Sequence, residues 1–350
     1  MMSGGLVAAG CTSDDNAAPG SGDSGAPPGD DSSVPFDAGP GADASNPATD
    51  AGPDATPDAQ PDGATAACDQ TKPFGTPALA PYTSGDFDDF AARLSADQLT
   101  MYIQSNRDGV SFFGTIDVLT RATKSGTFAG ATPLAVANFA GSANEKPSIS
   151  TDGLTLFTDS SYLDEGGNNP YIFKFTRPTA PGTFGAGVQV DLHAPSVDTW
   201  DVSPFITADG ATLYFSSTRT ADSSLGGFTA AVLADGGFDT PKELTELDVA
   251  GTITGNLLPS ADGLTIYFFS NRGVGDAAPA SNDIYVARRA HTTDPFGAPA
   301  LVAELATAQN DEPSWLSPDT CTLWFMSQGQ PDVDGGASTH ARIYQATRPK

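Results

Sequence analysis

The chain has 350 residues, with 43 Asp and Glu against 16 Lys and Arg, for a net charge of -27. So acidic a balance argues against nucleic acid, whose phosphates demand clustered Lys and Arg, and against electrostatic docking on anionic lipid. No run approaches the roughly eighteen apolar residues of a transmembrane helix, and no long stretch repeats apolar residues at helical spacing, so the expected class is all-β.

The chain opens Met1-Met2-Ser3-Gly4-Gly5-Leu6-Val7-Ala8-Ala9-Gly10-Cys11. A small-residue apolar run ending in Ala-Ala-Gly-Cys resembles a bacterial lipobox. The resemblance implies that Cys11 carries a diacylglyceryl thioether and becomes the mature N-terminus. It also implies an exported protein, and Thr12 in place of Asp points to the outer membrane. The run is short for an export signal and lacks a basic start, so translation is expected to begin further upstream. The alternative is a plain N-terminus with a chance cysteine.

Residues 12–67 hold eleven Asp and no Lys, Arg or Glu. Pro, Gly, Ala and Ser fill most of the rest, with a Pro-Asp-Ala cadence near residues 52–62. Almost nothing here can offset ordering entropy by burial, so a disordered linker is expected. It would span on the order of 40 Å as a coil and roughly 170 Å as extended polyproline. After a lipid anchor such a segment is a tether; otherwise it is a disordered tail.

From there on one unit recurs. Ser95-Ala96-Asp97-Gln98-Leu99-Thr100-Met101-Tyr102-Ile103 is followed by Ser150-Thr151-Asp152-Gly153-Leu154-Thr155-Leu156-Phe157-Thr158. Further copies start at Thr207, Ser260 and Ser317, which puts the shared Asp at 97, 152, 209, 262 and 319. Asp-Gly makes a tight hairpin turn because positive φ is cheap for Gly. The strand that follows is apolar on both faces and must be covered on both. A propeller blade, packed between two neighbours, meets that demand.

Third strands are expected at 115–119, 171–175, 228–232, 283–287 and 342–346, and fourth strands after Phe128, Phe184, Phe238 and Phe296. Four short strands per repeat predict a five-bladed β-propeller over residues 68–350. The fifth repeat stops after its third strand. Residues 72–83 carry the Phe-Gly-x-Pro look of a fourth strand and are expected to complete that last blade, leaving no free edge.

The pattern Ser-x-Asp-Gly-x-Thr-Leu-Tyr-Phe-x-Ser-x-Arg, with Asp283-Ile284-Tyr285-Val286-Ala287 on a following strand, resembles the WD40-like (PD40) repeats of TolB-like proteins. The resemblance implies the fold and a cell-envelope setting. TolB-like propellers have six blades against five repeats here, so their partner binding is not implied.

With Cys11 assigned to lipid, Cys68 and Cys321 remain. Both fall in the closing blade. They form either a disulfide, permitted in an oxidising compartment, or two buried thiols. A loop of about 250 residues would give the bond about 5 kcal/mol as an upper value. No Cys-x-x-Cys occurs and His193, His291 and His340 are scattered, so neither a metal nor another cofactor is expected. Acidic loops at 164–169 and 332–336 match no EF-hand spacing and read as solvated loops.

Candidate chemistry gathers on the first strand of each repeat. Asp89, Asn144, Asp201, Thr254 and Asp311 align, and Glu145 and Glu312 follow two of them. Asp89, Asp201 and Asp311 are catalytic candidates for a glycosidase, where two carboxylates straddle the bond. Their identical repeat position favours a backbone role instead. Arg107, Arg219 and Arg272 recur after the second strand, where salt bridges between blades are expected. Trp324 sits in the repeat's aromatic column and is structural. Glu145, Trp200, Glu312 and Trp315 are the binding candidates. The resulting expectation is a non-catalytic, lipid-anchored envelope propeller that binds a protein or a glycan. The alternative is an exported carbohydrate-active enzyme.

Overall fold

In the computed structural model, described for residues 68–350 except 84, 110–113, 140–141, 162–168, 197, 274–280, 332–335, 337 and 339, each repeat is one four-stranded antiparallel sheet. The lipidation candidate Cys11, the linker and most of both acidic loops lie outside the described residues. Blade I comprises β2 (Asp89–Leu94), β3 (Thr100–Ser105), β4 (Thr115–Thr120) and β5 (Ala129–Pro133). Blade II comprises β6 (Ala143–Ile149), β7 (Thr155–Ser161), β8 (Pro170–Thr176) and β9 (Val188–Gln189). Blade III holds β10 (Asp201–Ile206), β11 (Thr212–Ser217), β12 (Gly226–Ala231) and β13 (Lys242–Glu243). Blade IV holds β14 (Thr254–Pro259), β15 (Thr265–Ser270), β16 (Asp283–Arg288) and β17 (Ala300–Leu301).

Blade V is assembled from both ends of the described chain. β18 (Asp311–Leu316), β19 (Thr322–Ser327) and β20 (Arg342–Thr347) are joined by β1 (Ala78–Leu79), which pairs with β20 through Ala78↔Gln345 and Leu79↔Tyr344. The chain then passes to blade I, where Tyr82 bridges Phe128. The ring therefore closes by strand pairing, as the repeat pattern predicts. A disulfide joins Cys68 and Cys321, with Cα atoms 5.5 Å apart.

The first strands β2, β6, β10, β14 and β18 each touch the next around the ring and frame a central channel. The second strands are buried on both faces, and the short fourth strands are largely exposed. There is no single core. Five apolar clusters fill the five seams between blades, such as Leu258, Tyr267 and Ile284 of blade IV against Leu323, Phe325 and Tyr344 of blade V.

The recurring Ser/Thr and Asp build the hairpin turn. In every blade the hydroxyl (Ser95, Ser150, Thr207, Ser260, Ser317) donates to the Asp two residues on and accepts the amide of the Thr that starts the second strand. The same Asp oxygen accepts a turn amide, for example Leu99 N at 2.9 Å. The hydroxyl and then the amide hold the carboxyls of Asp97, Asp152 and Asp209 below the ordinary range. The next turn residue has positive φ in all five blades, including non-glycine Gln98 and Thr320.

A second repeated device is not visible in the motif. An arginine after the third strand stacks on the buried Phe that precedes the fourth. Arg121 lies 4.2 Å from the Phe128 ring centre, Arg177 4.4 Å from Phe184, Arg289 4.3 Å from Phe296 and Arg348 3.8 Å from Phe74. Each arginine also donates to the hairpin turn of its own blade: Arg121 to Gln98 O, Arg177 to Gly153 O, Arg289 to Gly263 O and Arg348 to Thr320 O. Arg177 and Arg348 reach on to the hydroxyls of Tyr102 and Tyr267 in the preceding blades, and Arg289 pairs likewise with Tyr214. Blade III departs twice at once. Val232, whose amide makes the same bond to the residue before the second strand, stands where the arginine would be, and Phe157 of blade II stands where the tyrosine would be. There Lys174 of blade II donates to Gly236 O instead.

Two outcomes are expected. Val232→Arg combined with Phe157→Tyr should install the missing clasp, and a double-mutant cycle in urea should give a favourable coupling of about 1 kcal/mol. Cys321→Ser should lower unfolding stability by about 2–5 kcal/mol, because the bond closes a very long loop. Intact mass under non-reducing conditions should fall two hydrogens short of the reduced form.

Candidate functional site

The channel wall carries a repeated distortion. The pairing of first and second strands shifts register early in each blade, between Asp89/Ala91, Glu145/Ser148, Val202/Phe205, Gly255/Leu258 and Pro313/Trp315. Such bulges bend the strand and re-aim side chains. In three consecutive blades the bulge residue is left-handed and is not glycine: Lys146 at φ 49°, Ser203 at 56° and Asn256 at 50°. That backbone is costly for these residues and clusters where function needs it.

The neighbouring blade supports the bend. The amide of Lys146 donates to Gln104 Oε1 at 3.3 Å, and that of Ser203 to Asp159 Oδ2 at 2.9 Å. Gln104 and Asp159 occupy the same second-strand position one blade earlier. The turned-out side chains then meet. Lys146 Nζ of blade II donates to Glu312 Oε2 of blade V at 2.9 Å. Blades II and V are not neighbours in a ring of five, so the ammonium crosses the channel. Asn256 Nδ2 donates to the same oxygen at 3.0 Å, and Asn282 Nδ2 to Glu312 Oε1 at 3.0 Å. Gln104 Nε2 donates to Glu145 Oε1 at 3.1 Å.

The electrostatics follow from burial. Burial first, and then the charge of Asp159, push the Glu145 carboxyl well above the ordinary carboxylate range. Burial also raises Asp159. Burial works against the Lys146 charge but is outweighed by Glu312, Glu145 and Asp159, so this ammonium stays protonated. The cluster thus couples one fixed cation to several carboxyls that compete to ionise.

The aligned column before it is structural in its bonding. Asp89 accepts Arg107 Nη2 at 2.9 Å and the Tyr82 hydroxyl at 2.9 Å. Asp201 accepts Arg219 Nη2 on both oxygens at 2.7 Å. Arg107 and Arg219 belong to the same blades as their partners, so these salt bridges lie within blades and not between them as expected from the sequence. The hairpin geometry places the residue after the second strand beside the start of the first. Arg272 instead reaches Leu247 O and Thr254. Asp311 Oδ2 accepts the amide and hydroxyl of Thr307, and burial pushes its carboxyl up to about 6.

The structure joins Glu145 and Glu312 through Lys146 and separates the two tryptophans from them. Trp315 lines the other mouth of the channel and meets Trp324 edge-on at 5.8 Å between ring centres. Trp200 is 47% exposed beside Thr218 and Arg219, with its Nε1 donating to Asn169 at 2.9 Å. Lys146, Asn256 and Asn282 were not among the sequence candidates. For Lys146 and Asn256 the signal is the column two residues after the aligned Asp, where Lys146, Ser203 and Asn256 interrupt a strand with polar groups; Asn282, just before the third strand of blade IV, carries no such signal.

No protein-family model and no curated protein matches the chain. Solved structures match in fold. A GH43 enzyme from Xanthomonas citri is 16% identical, covers 78% of this chain and 91% of its own, and has a TM-score of 0.52. An endo-arabinase from Bacteroides thetaiotaomicron is 12% identical, covers 75% and 93%, and scores 0.50. A protein described as TolB from Agrobacterium tumefaciens is 15% identical, covers 75% and 91%, and scores 0.43. At these identities the likeness establishes the propeller and nothing about chemistry.

The raised carboxyls make a pH signature. Folded Glu145 holds its proton to higher pH than the unfolded chain does, so rising pH costs stability from the ordinary carboxylate range up through the folded value. Glu145→Gln mimics the protonated form. Its melting temperature is expected to match wild type near pH 5 and to exceed it above neutrality. Parallel curves for the two proteins would show that Glu145 is not held protonated.

Proposed function

We propose that the chain is an exported, lipid-anchored cell-envelope propeller that binds a protein or a glycan and does no chemistry. One observation carries the non-catalytic part. Both Glu312 oxygens accept intrachain donors from Lys146, Asn256 and Asn282, and Asp89 and Asp201 are bound by arginines. A glycosidase needs a carboxylate free to meet the anomeric carbon or its water. Carboxylates saturated by their own chain instead hold a channel shape against which a partner can dock.

The disulfide supports an oxidising compartment, since such bonds are rare where glutathione keeps thiols reduced. The lipobox-like Ala8-Ala9-Gly10-Cys11 and the acidic linker support an anchor followed by a spacer. A linker without a single basic residue is repelled by an anionic surface and so holds the propeller away from it.

A carbohydrate-active enzyme remains the competing reading, and Glu145 favours it: a carboxyl kept protonated in a channel is what a general acid requires. Two measurements test the proposal. In a bacterial host with an intact leader, labelled palmitate is expected on the full chain and absent from Cys11→Ser; an unlabelled wild type defeats the anchor. A panel of plant and bacterial polysaccharides should release no new reducing ends. Turnover abolished by Glu145→Gln or Glu312→Gln would replace the binding reading with the enzyme.

A further inference from the structure

The channel mouth farther from Glu312 is a cavity of about 230 Å³, enclosed by the ends of the first strands and the hairpin turns of all five blades. Its wall is largely apolar, with Leu94, Phe205, Ile206, Leu258, Trp315 and Leu316 among the lining residues. Hydroxyls of the turns interrupt it, and the one ionisable lining residue is Arg93. The residue is only 6% exposed. Its guanidinium comes from blade I and lies 5.5 Å from the ring centre of Phe205 in blade III, so it projects across the channel.

Arg93 has no carboxylate partner among the described residues. Its hydrogen bond is from Nη1 to Ala92 O at a long 3.3 Å, and its Nε is buried without an acceptor. Every other buried guanidinium discussed above is satisfied by carbonyls, a carboxylate or a hydroxyl. A buried charge left this bare is expensive unless something completes it. Burial accordingly lowers the Arg93 pKa to about 9, which leaves it charged at neutral pH.

Five of the seven hydroxyls that line this mouth are not free to greet a sugar. Ser95, Ser150, Thr207, Ser260 and Ser317 are committed to the aspartates of their own turns. What remains is one forked cation, an aromatic wall on Phe205 and Trp315, aliphatic surface, and the hydroxyls of Ser148, which accepts the Ile206 amide, and Thr151. A cavity of about 150 Å³ lined by such residues takes up benzene, so this one has room for a ring and a small head group.

We propose that this mouth binds a small organic carboxylate with a compact apolar or aromatic body, its carboxylate paired with Arg93 and its body between Phe205 and Trp315. A guanidinium fork matches a planar carboxylate with two parallel donors, and the apolar wall excludes the water that would weaken the pair. The site lies at the opposite end of the channel from the Glu145–Lys146–Glu312 cluster. It depends neither on the lipid anchor nor on the identity of an envelope partner.

Calorimetric titration of the full chain with benzoate and phenylacetate tests it, with benzamide as the neutral counterpart and inorganic phosphate as the anion without a body. Saturable binding of the carboxylates at millimolar concentration or tighter is expected. Benzamide should bind about tenfold more weakly or worse, as for loss of one charge-assisted pair. Arg93→Met should abolish the preference for charge while keeping the fold, because an apolar chain replaces an unpaired buried cation. Ala96→Trp, an exposed turn residue at the cavity rim, should block entry with Arg93 intact. Equal binding of benzoate and benzamide, binding that survives Arg93→Met or Ala96→Trp, phosphate in place of carboxylate, or no carboxylate binding would each overturn the proposal.

Discussion

A blade of this protein has no inside of its own. Its second strand is apolar on both faces, and each face is covered only when another blade packs against it. Burial of this kind supplies about 25 cal/mol for each Å² removed from water, so a blade with one face uncovered forgoes all that its open face would have contributed. All else in the fold follows from making every seam and leaving none open. That is why β1 crosses to blade V, why Tyr82 bridges onward to blade I, and why the disulfide ties that same blade.

The arginine clasps answer a second need at the seams. Apolar wedges are non-directional and alone would let blades slide. An arginine fixed by its turn carbonyl and its Phe, with one nitrogen reaching a tyrosine next door, sets the angle between two sheets. Two seams lack the tyrosine hydroxyl and solve it differently. Beside Phe157 the arginine is absent and a lysine from the neighbouring blade takes up the contact, whereas beside Trp324 the arginine Arg121 is kept and its Phe128 meets the indole edge-on.

The repeats, the strand sequence within each blade and the closing strand are legible in the amino-acid sequence because they are local. Ser-x-Asp-Gly writes its turn within nine residues, and Phe-Gly-x-Pro announces the missing strand at the wrong end of the chain. The site is legible only in part. Glu145 and Glu312 stand out as acids on first strands, but their meeting through Lys146 depends on the diameter of a five-membered ring. The left-handed bulges are equally hidden, since Lys146, Ser203 and Asn256 share a position and a backbone but no residue type. Asp89 and Asp201 align for a structural reason, as their shared repeat position suggests: each salt-bridges an arginine of its own blade.

Those bulges also explain why the channel has two unlike ends. They turn Lys146 and Asn256 inward near the start of the first strands, and the Glu312 oxygens gather these donors into a polar crosspiece. Past the bulge the strands run straight again, and the residue two places on is Arg93, Ser148, Phe205, Leu258 or Trp315. Four of these five cannot ionise, so Arg93 has no carboxylate beside it. The acids are not absent from the protein, whose charge of -27 repels anions at long range. Screening limits that field to roughly 8 Å in physiological salt, so a single anion already inside the mouth feels the bare guanidinium more than the distant acids. Net charge and local charge thus have opposite signs there. That combination rejects polyanions, which must lie along the acidic surface, and leaves the cavity to a ligand carrying one negative charge on an apolar body.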